Sequence, residues 1–207
     1  GHASKPAGTL NAIGVLVDYL LDHDLCDEAE RRFLEFEELV FASTDGSSLG
    51  IDAADEAFGP LTCIGGVVRT VEGRFEQTID VRYPTTIDGA RIERTLVFLA
   101  VAHRCAFAID HDMAPFYSDP SAPDIRVLTA CYCEYAQREA EPYTIGGGTY
   151  ARHFAHAASF GPVDPTLPSP EWVGSEHAPD EGIEEEQLKR ALKIYILAIA
   201  RLMRIER

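Results

Sequence analysis

Two short segments in the first half of this 207-residue chain hold residue types that could bind an anionic group. In HASKP, at residues 2–6, His2 could donate a hydrogen bond to an anionic centre, although a surface histidine near a frayed terminus is the simpler alternative. In DVRYP, at residues 80–84, Arg82 ends a strand pattern and suits bidentate binding of a carboxylate. A surface ion pair would also explain the second segment.

The third segment is GGGTYAR at residues 146–152. Gly146, Gly147 and Gly148 would let the backbone approach a ligand, Thr149 could cap a following helix, and Arg152 adds positive charge. A flexible turn is the alternative. The segment lacks the Lys-Ser/Thr ending of a P-loop, and its glycine spacing differs from the dinucleotide fingerprint.

The fourth segment is HAPDE at residues 177–181, just before the last helical pattern. A neutral His177 imidazole could bind a metal, with nearby acids orienting it. Alternatively, Asp180 and Glu181 are acids that favour the N-terminus of that helix. One histidine is not a zinc site, since zinc needs three or four ligands.

The elements that must position these segments follow from apolar periodicity, which predicts a mixed α/β chain. Pro115, Pro120 and Pro123 mark a boundary after the first α/β region, which ends near Asp110. The pattern predicts helices at 10–22, 27–41, 88–102, 124–138, near 149–157 and at 183–205, and strands at 61–71, 75–83 and 105–109.

Composition excludes several classes of protein. The 18 basic and 34 acidic residues give a formal net charge of −16, so nucleic acid and anionic membranes are poor partners. No run of apolar residues is long enough for a membrane span. The five cysteines lack paired C-x2-C spacing, which predicts reduced, mostly buried thiols and a cytoplasmic protein.

Taken in order, the four segments resemble the di-zinc metallopeptidase family that includes aminoacylase, carboxypeptidase G, succinyl-diaminopimelate desuccinylase and the bacterial PepV-type dipeptidases. Asn11 and the FGP motif at residues 160–162 add to the resemblance. The stretch TIGGGTYAR at residues 144–152 is typical of the dipeptidase branch. Ile64 departs from the family, in which an asparagine often touches the substrate.

The resemblance implies an α/β architecture with two parts. Residues 1–112 would be the remainder of an α+β two-layer lid, or dimerisation, domain, and residues 113–207 the C-terminal part of a catalytic domain. It also implies roles for individual residues: oxyanion stabilisation by His2, binding of the substrate carboxylate by Arg82, a substrate-lining loop from Gly146, Gly147, Gly148 and Thr149 with Arg152, and zinc binding by His177.

The family uses two zinc ions, and most of their ligands come from an N-terminal half that this chain does not contain. We therefore expect a chain that starts inside a motif at Gly1, carries an incomplete zinc site and is inactive alone. The expected partners are a short unblocked peptide, the N-terminal half of the same protein and, in some members, a second copy. An N-acyl amino acid deacylase, or a non-catalytic dimerisation or peptide-binding module, are the alternatives.

Overall fold

The computed structural model describes residues 3–164, 166–174 and 179–205, and these form two compact units. The first unit comprises residues 1–116 and 144–147, and the second comprises residues 117–143 and 148–207. Both helices and antiparallel strands are present, which confirms the mixed α/β class. The interpretation of residues 1–112 as a lid domain and of 113–207 as part of a catalytic domain stays a prediction.

The helices and strands are close to those expected from the sequence. They are α1 (Ala12–Asp22), α2 (Glu28–Phe41), β1 (Ala54–Asp55), β2 (Gly59–Pro60), β3 (Thr62–Val71), β4 (Arg74–Arg82), α3 (Gly89–Ala102), α4 (Pro123–Ala136) and α5 (Glu185–Leu202), with short 3₁₀ turns at Ser47–Leu49 and Tyr150–His153.

Side-chain caps explain where the first helices begin. The Asn11 side chain accepts from the Ile13 N–H at 2.9 Å, and Asp88 caps α3 in the same way by accepting from Arg91. At the start of α2, Asp27 and Glu30 form a reciprocal capping box. These residues fix the starts of the helices locally, which is why sequence patterns located them well.

Strands β3 and β4 form an antiparallel hairpin, with Thr62 opposite Arg82 and Val71 opposite Arg74. The turn between them places Glu72 and Gly73 at positive φ, as a two-residue turn of this kind requires. Helices α2 and α3 and the intervening loops pack with the start of the hairpin around a buried apolar core of Phe36, Val40, Leu49, Ile51, Leu61, Cys63, Ile87, Ile92 and Leu96.

The second unit is built on the packing of α4 against α5. Cys131 of α4 is buried with Ile194 and Ala198 of α5, and Phe160 packs beside them. The Tyr195 hydroxyl donates to the Phe160 carbonyl at 2.7 Å, so the FGP motif at residues 160–162 is tied to α5. The apolar residues that predicted α5, such as Leu192 and Ile196, lie largely on its exposed face instead.

Two predicted elements are wrong. Residues 105–109 do not form a strand: Cys105 and Phe107 pack on the core at alternate positions, but no described strand pairs with them. The strand signal in the sequence is only a short apolar run, which does not require a paired strand. The helix predicted near 149–157 is only the 3₁₀ turn Tyr150–His153, because Ala151 alone is buried and Tyr150 is 87% exposed.

All five cysteines are free thiols, as expected. Cys63 and Cys131 are buried, whereas the other three are partly exposed, so "mostly buried" was too strong. Across the described ranges, no helix is both long enough and apolar enough to cross a membrane.

Candidate functional site

The first unit brings together parts of three segments that the sequence singled out. Arg82 stands at the end of β4, where Pro84 follows and cannot donate to a continuing ladder. Its guanidinium Nη1 donates to the carbonyl of Gly146, 64 residues further along the chain. Ser4, from the HASKP segment, lies against that same glycine. Residues distant in sequence thus meet beside the end of one strand.

The Ser4 side of the site is held by the turn and helix that follow it. Thr9 donates from both its N–H and its hydroxyl to the Pro6 carbonyl, at 3.0 and 2.8 Å, closing a turn. The Asn11 side chain caps α1 with its oxygen and donates from Nδ2 to the Gly65 carbonyl of β3 at 2.9 Å. One side chain therefore anchors the segment to the hairpin that carries Arg82.

The glycine side is anchored separately. The Thr144 hydroxyl donates to the carbonyl of Ala57, which lies between β1 and β2. Together with the contact from Arg82 to Gly146, this bond explains why residues 144–147 belong to the first unit although their neighbours along the chain do not. No sequence pattern predicted the Thr144 contact; Thr144 was notable only as part of the TIGGGTYAR stretch.

Asp80 binds the other edge of the Arg82 guanidinium. Its two carboxylate oxygens each lie 3.2 Å from the arginine, one from Nε and one from Nη2. Both side chains are partly exposed, and pairs of this kind contribute only about 0–1 kcal/mol to stability. The surface ion pair considered from sequence is therefore present, and its main effect is on the orientation of Arg82.

Gly146 has a steric requirement that Gly147 lacks. A Cβ at Gly146 would lie 2.6 Å from the Ser4 Cβ, whereas a Cβ at Gly147 would meet nothing closer than Ile145 at 3.9 Å. The sequence suggested that these glycines let the backbone approach a ligand. At Gly146, the absence of a side chain instead permits the close approach of Ser4.

We expect Gly146→Ala to destabilise the first unit by about 1–3 kcal/mol, because Ser4 must move to accommodate the new methyl group. Gly147→Ala is the matched control and should stay within about 0.5 kcal/mol of wild type. Chemical denaturation of the three proteins measures the difference. Equal stabilities for the two variants would show that the contact with Ser4 is unimportant.

Two cysteines in the core of the first unit are poor candidates for chemistry. Burial, together with the negative charges of Asp80 and Asp45, raises the pKa of the Cys63 thiol to about 12. The pKa of Cys105 is also raised, by burial and by Glu37. Thiols that stay protonated are poor nucleophiles and poor metal ligands, so neither is a candidate for catalysis.

Five predicted site residues remain. His2 and His177 fall outside the described residues. Gly148, Thr149 and Arg152 belong to the second unit. Thr149 precedes the turn Tyr150–His153 but makes no capping hydrogen bond with its side chain, so its predicted capping role is wrong.

The alternative explanation for Asp180 and Glu181 is also wrong. Helix α5 begins at Glu185, so these two acids lie before its first turn. The backbone of Glu181 instead forms an isolated β-bridge with that of Gly174. Over the ranges that the structure describes, no three His, Cys, Asp or Glu side chains come together as a metal site. The acids in the first turn of α5 are Glu185 and Glu186, which pair with Lys189.

A hydrogen-bonded cluster around Asp164 in the second unit was not predicted from the sequence. Asp164 is buried and accepts hydrogen bonds from Tyr132, Arg138 and Thr166. Burial acts to raise the pKa of Asp164, but the hydrogen bonds from Thr166 and Tyr132 and the Arg138 charge outweigh it and lower the pKa to about 2. Both oxygens of the Asp164 carboxylate thus have hydrogen-bond donors, so we interpret the cluster as stabilising the fold of the second unit.

No model of a known protein family matches the chain. The chain is nevertheless similar over nearly its whole length to several curated bacterial proteins. It is 33% identical over 200 residues to the Bacillus subtilis protein named "Putative dipeptidase YtjP", covering 96% of this chain and 41% of the relative. A similarly named Staphylococcus epidermidis protein is 29% identical over 208 residues, with the same two coverages.

A third relative, from Staphylococcus saprophyticus, is 28% identical over 211 residues, covers 97% of this chain and has the same kind of name. The similarity to proteins named as putative dipeptidases thus extends along nearly the whole chain, and the finer assignment to the di-zinc, PepV-type branch stays a prediction. The chain spans about two fifths of the length of these relatives.

Proposed function

We propose that this chain is the C-terminal part of a cytoplasmic zinc-dependent dipeptidase that hydrolyses short unblocked peptides. The observation that carries the proposal is the similarity to proteins named as dipeptidases over 96% of the chain. The meeting of Ser4, Arg82 and Gly146 supports it, because it makes the strand-end arginine part of a built site. In this proposal Arg82 binds the C-terminal carboxylate of the peptide.

The proposed chemistry of zinc is to activate water and polarise the scissile carbonyl. The residues that the structure describes do not form a metal site, so they do not by themselves fit two zinc ions. His177 is the ligand that we propose from this chain, and the others would come from the N-terminal half of the same protein. The oxyanion role of His2 is proposed on the same resemblance.

The exposed face of α5 supports a further polypeptide partner. Leu192 and Ile196 are 60% and 62% exposed, and Leu188, Ile199 and Met203 continue the same apolar stripe at a spacing of three or four residues. The opposite face of α5 already packs on α4, so the exposed apolar stripe can bind another polypeptide segment. We propose the N-terminal half as its occupant, with a second copy of this chain as an alternative.

The function is tested by assaying the full-length protein on free dipeptides and on N-acyl amino acids. Hydrolysis of dipeptides with little activity on N-acyl substrates is the expected result. Preference for the N-acyl substrates would favour the deacylase, and peptide binding without cleavage would favour the non-catalytic module. The 207-residue chain alone is expected to be inactive, and wild-type rates from it would contradict the proposal.

The metal assignment has its own test. His177→Ala in the full-length protein is expected to lower zinc content by about one ion per chain, since a tetrahedral site loses one of its few ligands. Elemental analysis after dialysis measures this directly. His156→Ala, in the same unit, is the control and should keep the wild-type zinc content. Unchanged zinc in the His177 variant would refute the ligand assignment.

A further inference from the structure

Asp80 and Arg82 are two residues apart on β4, so both side chains project from the same face of the hairpin. The carboxylate of Asp80 lies side-on to the guanidinium, with Oδ1 3.2 Å from Nε and Oδ2 3.2 Å from Nη2. This is a two-point contact, which fixes the plane of the guanidinium as well as its position.

A guanidinium carries five N–H donors in one plane. Asp80 takes one on Nε and one on Nη2, and the carbonyl of Gly146 takes one on Nη1. The described contacts thus commit three donors and leave one on each terminal nitrogen. Arg82 is held from two sides, by its own strand and by the glycine segment, and rotation of its plane would break both contacts.

We propose that Asp80 is a positioning residue for Arg82, which it orients so that the peptide carboxylate binds through Nη1 and Nη2. The inference rests on the proposed function, in which Arg82 binds that carboxylate. Arginine can offer a carboxylate either its Nε/Nη2 edge or its Nη1/Nη2 edge. Asp80 occupies the first edge, so the substrate is left the remaining donors on Nη1 and Nη2, beside the Nη1 donor that the Gly146 carbonyl accepts.

The position of Asp80 adds a second effect. A carboxylate that bound Arg82 at the Nε/Nη2 edge would have to displace Asp80 and approach its negative charge. Binding at the Nη1/Nη2 edge neither displaces Asp80 nor brings the substrate carboxylate close to its negative charge. Asp80 therefore restricts the substrate to one direction of approach, and its loss frees Arg82 to rotate and to pair with a ligand in several ways.

The test uses the full-length protein and two substrates, a dipeptide with a free C-terminal carboxylate and the same dipeptide as its C-terminal amide. Asp80→Ala is expected to raise KM for the free carboxylate about tenfold with kcat within about twofold, since only orientation for binding is lost. KM for the amide should not change. Asp80→Asn keeps one acceptor oxygen and should give an intermediate KM.

Glu76→Ala is the matched control, because Glu76 is an exposed carboxylate on the same face of β4. It removes one negative charge without touching Arg82 and should leave KM for both substrates at wild-type values. An unchanged KM in Asp80→Ala, or equal increases for the acid and the amide, would overturn the positioning role. The amide thereby separates loss of orientation from general damage to the fold.

Arg82→Ala separates this inference from the proposed function. If Arg82→Ala raises KM for the free carboxylate and Asp80→Ala does not, the positioning role fails and the proposed function stands. If the wild-type protein cleaves no dipeptide, both fail. If it cleaves dipeptides and Arg82→Ala leaves KM unchanged, the roles of Arg82 and Asp80 fail and the dipeptidase activity stands. A ¹⁵N-detected measurement adds a direct readout: the Nε proton of Arg82 should exchange slowly in wild type and faster in Asp80→Ala.

Discussion

Replacing Glu37 by glutamine is expected to stabilise the first unit at pH 8. Glu37 lies in α2 with no solvent exposure, and neither of its carboxylate oxygens has a hydrogen-bond partner among the described residues. Burial raises its pKa to about 7. At pH 8 the folded protein therefore contains a buried, ionised and unpaired carboxylate.

The direction of the pH effect follows from the raised pKa. The unfolded chain ionises Glu37 near its ordinary pKa of 4.5, whereas the folded chain keeps the proton up to about pH 7. The contribution of protonated Glu37 to the free energy of unfolding is fully present below about pH 4.5, and it is lost as the pH rises through 7. Between pH 5 and pH 8 the loss is about 2–3 kcal/mol.

Chemical denaturation at the two pH values checks this expectation. The difference in unfolding free energy between Glu37→Gln and wild type should increase by about 2–3 kcal/mol from pH 5 to pH 8. Glu37→Leu should stabilise further, since it leaves no polar group without a partner. Glu38→Gln, at the next and exposed position of α2, is the control. A pH-independent difference for Glu37→Gln would show that the carboxylate is hydrated or paired.

Local patterns located the helices and the hairpin well, because their signals lie within a few residues. Asn11, Asp27 and Asp88 mark helix starts, and Glu72-Gly73 marks the hairpin turn. Residues 105–109 show the limit of such signals. Core contacts do alternate along this segment, at Cys105 and Phe107, but a strand also needs a partner strand. The sequence of one segment cannot show whether that partner exists.

The site was predictable only in part, for the same reason. Arg82 was identified, and its partner Asp80 is two residues away in the same motif. The contact from Arg82 to Gly146 joins residues 64 apart, and only the fold brings them together. Glu37 was missed because helical periodicity indicates which face is buried from its apolar members, and a charged residue on that face is not expected there.

The buried cluster around Asp164 gives the second large prediction. Asp164 accepts from the Tyr132 hydroxyl at 2.7 Å, from Arg138 at 2.8 Å and from the Thr166 hydroxyl at 2.7 Å. Tyr132 lies on α4, so these bonds hold residues 160–164 and 166–167, which include the FGP motif, against the helix pair. A buried carboxylate with three partners is costly to remove, because each partner loses its acceptor.

We therefore expect Asp164→Ala to destabilise the second unit by about 3 kcal/mol, and Asp164→Asn, which keeps one acceptor oxygen, by about half as much. Hydrogen exchange across residues 158–168 should accelerate in both variants. Asp119→Ala is the matched control, because Asp119 also accepts from the N–H two residues ahead, at 2.8 Å to Ser121, but is exposed and has no arginine partner. It should cost less than about 1 kcal/mol. If the Asp119 and Asp164 variants lost equal stability, only the local turn would matter, and the contacts to Tyr132 and Arg138 would contribute nothing to holding the FGP segment in place.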